Sequence, residues 1–146
     1  MLITFSQPLN LPSTLESGQA FRWVRDGPRL PSQDQWYTGV IFGNVVKIRQ
    51  VPRGIELLSG PDPESHLEPL VRDYLGLRDD LEAVYRSIGA DGPISAAIAR
   101  FRGMRILRQD PWECLISFIC SANSSISRIS ANVEDMSRSL GRPIRF

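Results

Sequence analysis

Arg108-Gln-Asp-Pro-Trp-Glu-Cys-Leu-Ile-Ser-Phe-Ile-Cys-Ser-Ala-Asn-Ser-Ser-Ile-Ser-Arg128 reads as one helix, a short polar tip and the start of a second helix. Asp110 is a good N-cap, since its carboxylate can accept from the free amides of the first turn. Pro111 fits the first helical position, and Glu113 completes a capping pair three residues after Asp110. Leu115, Phe118, Ile119 and Ala122 recur at helical spacing, while Trp112, Ile116 and Cys120 fill the other sides. A helix apolar nearly all round is expected in the middle of a domain. Asn123-Ser124-Ser125 makes the tip, and either serine can cap the second helix. Ile126, Ile129, Val133, Met136 and Leu140 then form one apolar stripe, ended by Gly141 and Pro143. Arg128 is locally out of place: a cation in a first helical turn opposes the macrodipole by about 0.3–1 kcal/mol. Residues that break a local rule are candidates for function. The plain alternative is a surface arginine with an acid nearby.

Outward from the hairpin, the chain has 146 residues, 42% hydrophobic, with a net charge of +1. That is enough to bury a core, and it excludes a global basic field of the kind that attracts nucleic acid nonspecifically. Sixteen of the seventeen cations are arginine, and Lys47 is the single lysine. Cys114 and Cys120 lie six residues apart on one expected helix, roughly 9 Å along its axis. A disulfide needs Cα atoms within about 7 Å, so they cannot bridge each other and read as small buried hydrophobes of a reducing compartment. His66, the only histidine, has no companions at metal spacing and reads as a surface residue. There is no long apolar run and no signal peptide, so the expectation is a cytoplasmic chain, nucleoid-associated if bacterial and not secreted, with no membrane partner. Oligomeric state is not legible.

Residues 1–60 read as strands and 61–146 as helices, which argues for α+β. Strands are expected at Met1–Phe5, Phe21–Val24, Gln35–Phe42, Val45–Gln50 and Gly54–Leu58, with one helical turn or irregular chain from Pro8 to Glu16. A loop spans Asp26 to Asp34, and Gly43-Asn44 is a two-residue hairpin signal. Val46 and Ile48 alternate with Lys47 and Arg49, giving one covered face and one wet face in an antiparallel meander. A helix ends near Leu75-Gly76 and starts or bends at Pro69. Asp79, with Glu82 three residues later, caps a helix to about Ile88, and Asp91-Gly92-Pro93 opens another. Phe21, Trp23 and Trp36 are expected in the core. Arg100, Arg102, Arg105 and Arg108 contain no acid between them; a solvated helix face is favoured over phosphate contact.

The run from Arg108 to Asn123 closely resembles the matching helix of the 8-oxoguanine DNA glycosylase/AP lyase family. Ser17-Gly18-Gln19-Ala20-Phe21-Arg22-Trp23 is similar to the same family's Ser-Gly-Gln-x-Phe-Arg-Trp signature, and Trp36 with Gly39 fits the strand between. The resemblance covers essentially the whole chain, which corresponds to less than half of a typical member. It implies an N-terminal antiparallel, TBP-like sheet with helices over 1–106. After it, over 107–146, come the first helices of an all-helical helix-hairpin-helix glycosylase domain. It also implies a partner, duplex DNA holding 8-oxoguanine opposite cytosine, with no cofactor and no metal.

The implied chemistry is base flipping: the damaged nucleotide leaves the stack and its edge is read in a pocket. 8-Oxoguanine carries a hydrogen on N7, where guanine has a lone pair. A main-chain carbonyl aimed there accepts from the lesion and repels the normal base, a mispairing worth about 1–3 kcal/mol. Gly18 matches the family's carbonyl reader, though from the residues alone it is an ordinary turn glycine. Asn123 and Arg128 match the residues that fill the vacated space and hold the orphaned cytosine; from the residues alone, Asn123 is a helix-ending residue. The asparagines that often follow in the family are Ser124 and Ser125 here, which implies a smaller wedge and a less strict reading of the opposite base. The family's excising lysine and its aspartate lie in a later segment. Lys47 matches no catalytic position, so no catalytic residue is expected in this chain. A free-standing damaged-DNA-binding module, or a non-enzymatic remnant that serves as a partner for another chain, are the competing readings.

Overall fold

A computed structural model describes residues 1–28 and 34–146. The loop expected from Asp26 to Asp34 therefore falls partly outside the described residues. Four consecutive strands form an antiparallel meander: β2 (Val24–Arg25), β3 (Trp36–Ile41), β4 (Asn44–Val51) and β5 (Gly54–Gly60). The first strand, β1 (Leu2–Thr4), closes the other edge against β5, giving the order β1-β5-β4-β3-β2. Helices α1 (Leu11–Leu15) and α2 (Glu64–Tyr74) frame the sheet. After them come α3 (Leu81–Ile88), α4 (Gly92–Arg100), α5 (Pro111–Cys120) and α6 (Ile126–Leu140). The architecture is α+β, strands first, as the order of patterns implied.

Register follows from the period-two alternation. Tyr37, Val46, Ile48, Ile55 and Leu57 are buried on one face, and Ile48 stands between Tyr37 and Leu57 in the ladder. Leu11, Leu15, Leu67, Val71 and Leu75 belong to the same buried cluster. Burying an aliphatic side chain of this size contributes about 1.5–3 kcal/mol. On the wet face Lys47 pairs with Asp26 at 2.9 Å, and Arg49 pairs with Glu56 at 2.7 Å.

Several local expectations are corrected. The strand expected at Phe21–Val24 is the two-residue β2, which begins only at Val24 and ends one residue further on. The hairpin turn is Phe42-Gly43, since Ile41 pairs with Asn44. Both turn residues have positive φ, 45° and 79°, the pattern whose twist suits a two-residue hairpin. Asn44 is held in the strand because its side chain accepts from the Asp62 amide at 3.0 Å and donates to the Asp62 carboxylate at 3.2 Å. Pro69 lies inside α2, which begins five residues earlier, on an exposed side of the helix. Asp80, not Asp79, caps α3, accepting from the Ala83 amide at 3.0 Å. Trp36 lies on the outer face beneath Arg49, 5.0 Å from the ring centre, whereas Trp23 packs against the core.

The largest correction concerns α5. Asp110 caps it as expected, accepting from the Trp112 and Glu113 amides at 2.9 and 3.1 Å. Glu113 makes no reciprocal bond; its carboxylate lies 4.0 Å from Arg22. The helix is not buried. Trp112, Phe118 and Ile119 are 69%, 75% and 60% exposed, and only Ser117 is buried. Cys114 is exposed and Cys120 half-buried, so neither is a core residue. The physical reason is that α5 packs on α6 and, among the described residues, little else covers its outer side. The α6 stripe behaves likewise: Ile129 and Val133 are buried, while Ile126 and Leu140 stay exposed.

Candidate functional site

Gly18 follows α1 in a left-handed conformation, φ +80°. Only glycine adopts this conformation without a steric penalty. A Cβ placed there would meet Ile126 Cδ1 at 3.2 Å, so the glycine faces the first turn of α6. Among the described residues nothing donates to the Gly18 carbonyl oxygen. The fold thus brings Gly18 to the hairpin, although more than a hundred residues separate them.

The hairpin tip is built by two caps. Ser121 ends α5, and Asn123 turns the chain with φ +50°, a left-handed value that asparagine tolerates better than most residues. Ser125 is the N-cap of α6, accepting from the Arg128 amide at 3.3 Å. Asn123 and Arg128 are both exposed, and among the described residues the Arg128 guanidinium forms no ion pair. Among the described residues, the acid that would explain Arg128 as an ordinary surface residue is therefore not paired with it.

Four things went unseen in the sequence. The first is the Gln19 side chain, which joins the Gly18 loop to residues 105–109. It donates to the Arg105 carbonyl at 2.9 Å and accepts from the Leu107 amide at 3.0 Å. The second is Arg105, expected on a solvated face and in fact 2% exposed. Its guanidinium donates to the Pro8 carbonyl at 2.9 Å, to Asp79 O at 3.3 Å and to Gly76 O. Burial pulls its pKa below the usual arginine value, with Asp79 opposing. The other expected cluster members are also committed: Arg102 to Glu82, Arg108 to Asp73 and Asp79, and Arg100 over the Phe101 ring. This removes the phosphate reading for Arg105. The third is the Trp23–Tyr74 pair, in which the indole N–H donates to the phenol oxygen at 2.9 Å. Burial is the main cause that pushes the Tyr74 pKa up, to about 12. The fourth is a cavity of about 750 Å³ between α5, α6 and the β3–β4 turn. Arg22, Trp112, Glu113, Ile116, Val133 and Met136 are among its lining residues, and Gly18, Asn123 and Arg128 are not. Burial raises the Glu113 pKa there, against the pull of Arg22. Gln19 and Trp23 stand in the Ser17–Trp23 run, the one signal the sequence offered for them; nothing local marked Arg105 or the cavity.

No group of histidine, cysteine, aspartate or glutamate among the described residues could hold a metal ion. No helix among them is long and apolar enough to cross a membrane.

The α+β fold, a five-stranded antiparallel sheet followed by helices, is that of the N-terminal portion of DNA N-glycosylase/lyases. The family described as 8-oxoguanine DNA glycosylase, N-terminal domain, matches residues 1–115, and the chain belongs to that family. It is 37% identical over 139 residues to the N-glycosylase/DNA lyase OGG1 of Arabidopsis thaliana, covering 91% of this chain and 36% of that one. It is 31% identical over 145 residues to the N-glycosylase/DNA lyase of Saccharomyces cerevisiae, covering 93% and 38%. The chain thus spans little more than a third of these curated relatives. Among solved structures, it is similar to MBOgg1 in complex with a low-affinity DNA ligand. That match has a TM-score of 0.84 and 33% identity, covering 97% of this chain and 47% of the other. It is also similar to the Clostridium acetobutylicum 8-oxoguanine glycosylase/lyase bound to double-stranded DNA with cytosine opposite 8-oxoguanine. There the TM-score is 0.83 and the identity 25%, covering 100% and 50%.

Proposed function

We propose that residues 1–146 are the damage-reading portion of an 8-oxoguanine DNA glycosylase/AP lyase and act on duplex DNA that pairs the lesion with cytosine. The observation that carries this is the juxtaposition of the Gly18 carbonyl with the first turn of α6, the carbonyl without a donor and Arg128 without an ion pair among the described residues. A flipped base read at Gly18 leaves its cytosine behind, and Asn123 with Arg128 sits at the tip of the hairpin that meets Gly18. The Gly18 carbonyl accepts from N7–H of the lesion; in guanine it faces a lone pair, at a cost of about 1–3 kcal/mol. Arg128 donates to the acceptor atoms of cytosine, and Asn123 occupies the vacated stack. Structures of relatives bound to DNA support the same partner.

Excision by this chemistry needs an amine that can form a Schiff base. Lys47, the sole lysine, lies on β4 and is held by Asp26 at 2.9 Å. Residues 1–146 therefore read damage and do not cut. Borohydride trapping of the 146-residue chain on an 8-oxoguanine duplex is expected to give no covalent species; a trapped band that vanishes in Lys47→Ala would overturn this. The reading itself is tested by titrating the full-length protein with duplexes that differ only in 8-oxoguanine or guanine opposite cytosine. Equal affinity for the two would remove it.

A further inference from the structure

A glycine at a positive φ is poorly aimed by itself, because the absence of a Cβ leaves its peptide free to rotate at little cost. A reader carbonyl must nonetheless meet its donor at about 2.7–3.2 Å and near linearity. Something beside Gly18 has to fix the orientation, and the geometry points to Gln19.

The Gln19 amide has one acceptor oxygen and two donor hydrogens, and both ends are committed. Its nitrogen donates to Ser17 Oγ and to the Arg105 carbonyl, each at 2.9 Å, with the Thr14 carbonyl at 3.5 Å. Its oxygen accepts from the Leu107 amide at 3.0 Å. The main-chain oxygen of Gln19 accepts from Gln109 Nε2 at 2.7 Å. Rotating the amide by half a turn would set donor against donor at Leu107 and acceptor against acceptor at Arg105, so only one orientation is satisfied. The anchoring segment is itself held. The Arg105 amide donates to Thr14 Oγ1 at 3.1 Å, its guanidinium is buried against three carbonyls, and the Arg108 amide donates to the Tyr74 carbonyl at 2.9 Å.

We propose that Gln19 is the positioning residue of the Gly18 carbonyl, clamping the Gly18–Gln19 peptide to residues 105–109 so that 8-oxoguanine is told from guanine. The proposal rests on Gly18 being the reader, and its test separates the two. Gln19→Ala removes both ends of the clamp. Gln19→Glu keeps an acceptor for Leu107 but turns a carboxylate oxygen toward the Arg105 carbonyl.

The full-length protein is titrated by fluorescence anisotropy with three duplexes that carry 8-oxoguanine, guanine or a tetrahydrofuran abasic analogue opposite cytosine. Amide exchange at Leu107 is followed in the free protein. Both variants are expected to lose about tenfold of the preference for 8-oxoguanine over guanine, while affinity for the abasic duplex, which offers no base edge, stays unchanged. Leu107 should exchange faster in Gln19→Ala while the β3–β4 ladder does not. Retained preference in Gln19→Ala overturns the proposal, and so does an equal loss on all three duplexes, which would mean a general folding defect. A wild-type protein that shows no preference removes Gly18 as reader, and the proposal with it. A faster Leu107 amide in Gln19→Ala would then show that the clamp exists and that the reading failed instead.

Discussion

Gly18 and Ile126 face each other so closely that a methyl group on the glycine would stand 3.2 Å from the isoleucine Cδ1. This contact joins the loop after α1 to the first turn of α6. Gly18→Ala therefore meets two penalties, a left-handed φ and a crowded neighbour. The variant is expected to lose about 1–2 kcal/mol of stability in urea unfolding. Gly18→Ala/Ile126→Val should recover part of that loss. A double variant no more stable than Gly18→Ala would show that backbone strain alone sets the cost.

The buried Arg105 guanidinium ties the chain around Pro8 to the loop after α2. Replacing it with methionine leaves three carbonyls short of a donor, and is expected to destabilise the fold by about 3 kcal/mol or more. Arg105→Lys retains the charge without the planar fork and should recover only part. Chemical denaturation of the three proteins checks this; a methionine variant as stable as the parent would contradict it.

Tyr74 is buried, and its phenol pKa is raised from 10.0 to about 12. An acid with a raised folded-state pKa favours the fold while neutral. Its contribution is full below pH 10 and is lost as pH rises through about 12. Its size is about 2–3 kcal/mol. Melting followed between pH 8 and 12 should show an alkaline fall in stability that is absent in Tyr74→Phe.

Arg128→Ala is expected to weaken binding of the full-length protein to 8-oxoguanine opposite cytosine by about 1–3 kcal/mol, the size of a good base contact. Binding to the lesion opposite adenine should weaken much less. An arginine that touches only phosphate would lower affinity for every duplex alike and flatten the salt dependence by about one unit of slope. A series over four opposite bases at two salt concentrations distinguishes them, and uniform loss would assign Arg128 to the backbone.

Trp112, Phe118 and Ile119 leave an apolar face on α5 open to solvent. Contiguous apolar surface of this kind drives association. Sedimentation of the 146-residue chain is expected to show concentration-dependent self-association that Phe118→Asp reduces. A compact monomer at all concentrations would contradict it.

Legible in the sequence was whatever neighbours along the chain decide. Asp110 caps α5 because its carboxylate reaches amides two and three residues away. Val46 and Ile48 lie inward because a strand alternates. Local pattern also located the tip, since a polar run between two apolar helices has few other uses. The same local view misplaced the hairpin turn by one residue. Asn44 is held in β4 by Asp62, eighteen residues on, and the turn pattern does not contain that bond.

By itself the sequence determined the class and the helical hairpin, because motif and periodicity are carried by short spans, and it singled out Gly18, Asn123 and Arg128 as candidates. Only the tertiary structure decided that Arg105 is a buried clamp, that Gln19 bonds a segment 86 and 88 residues away, and that α5 shows its apolar side to water. An arginine can serve a wet surface or a set of buried carbonyls with equal ease, and an apolar helix side shows no sign of whether anything covers it. Burial and long-range hydrogen bonds depend on which distant segments meet, and the spacing of residues along a chain does not state that.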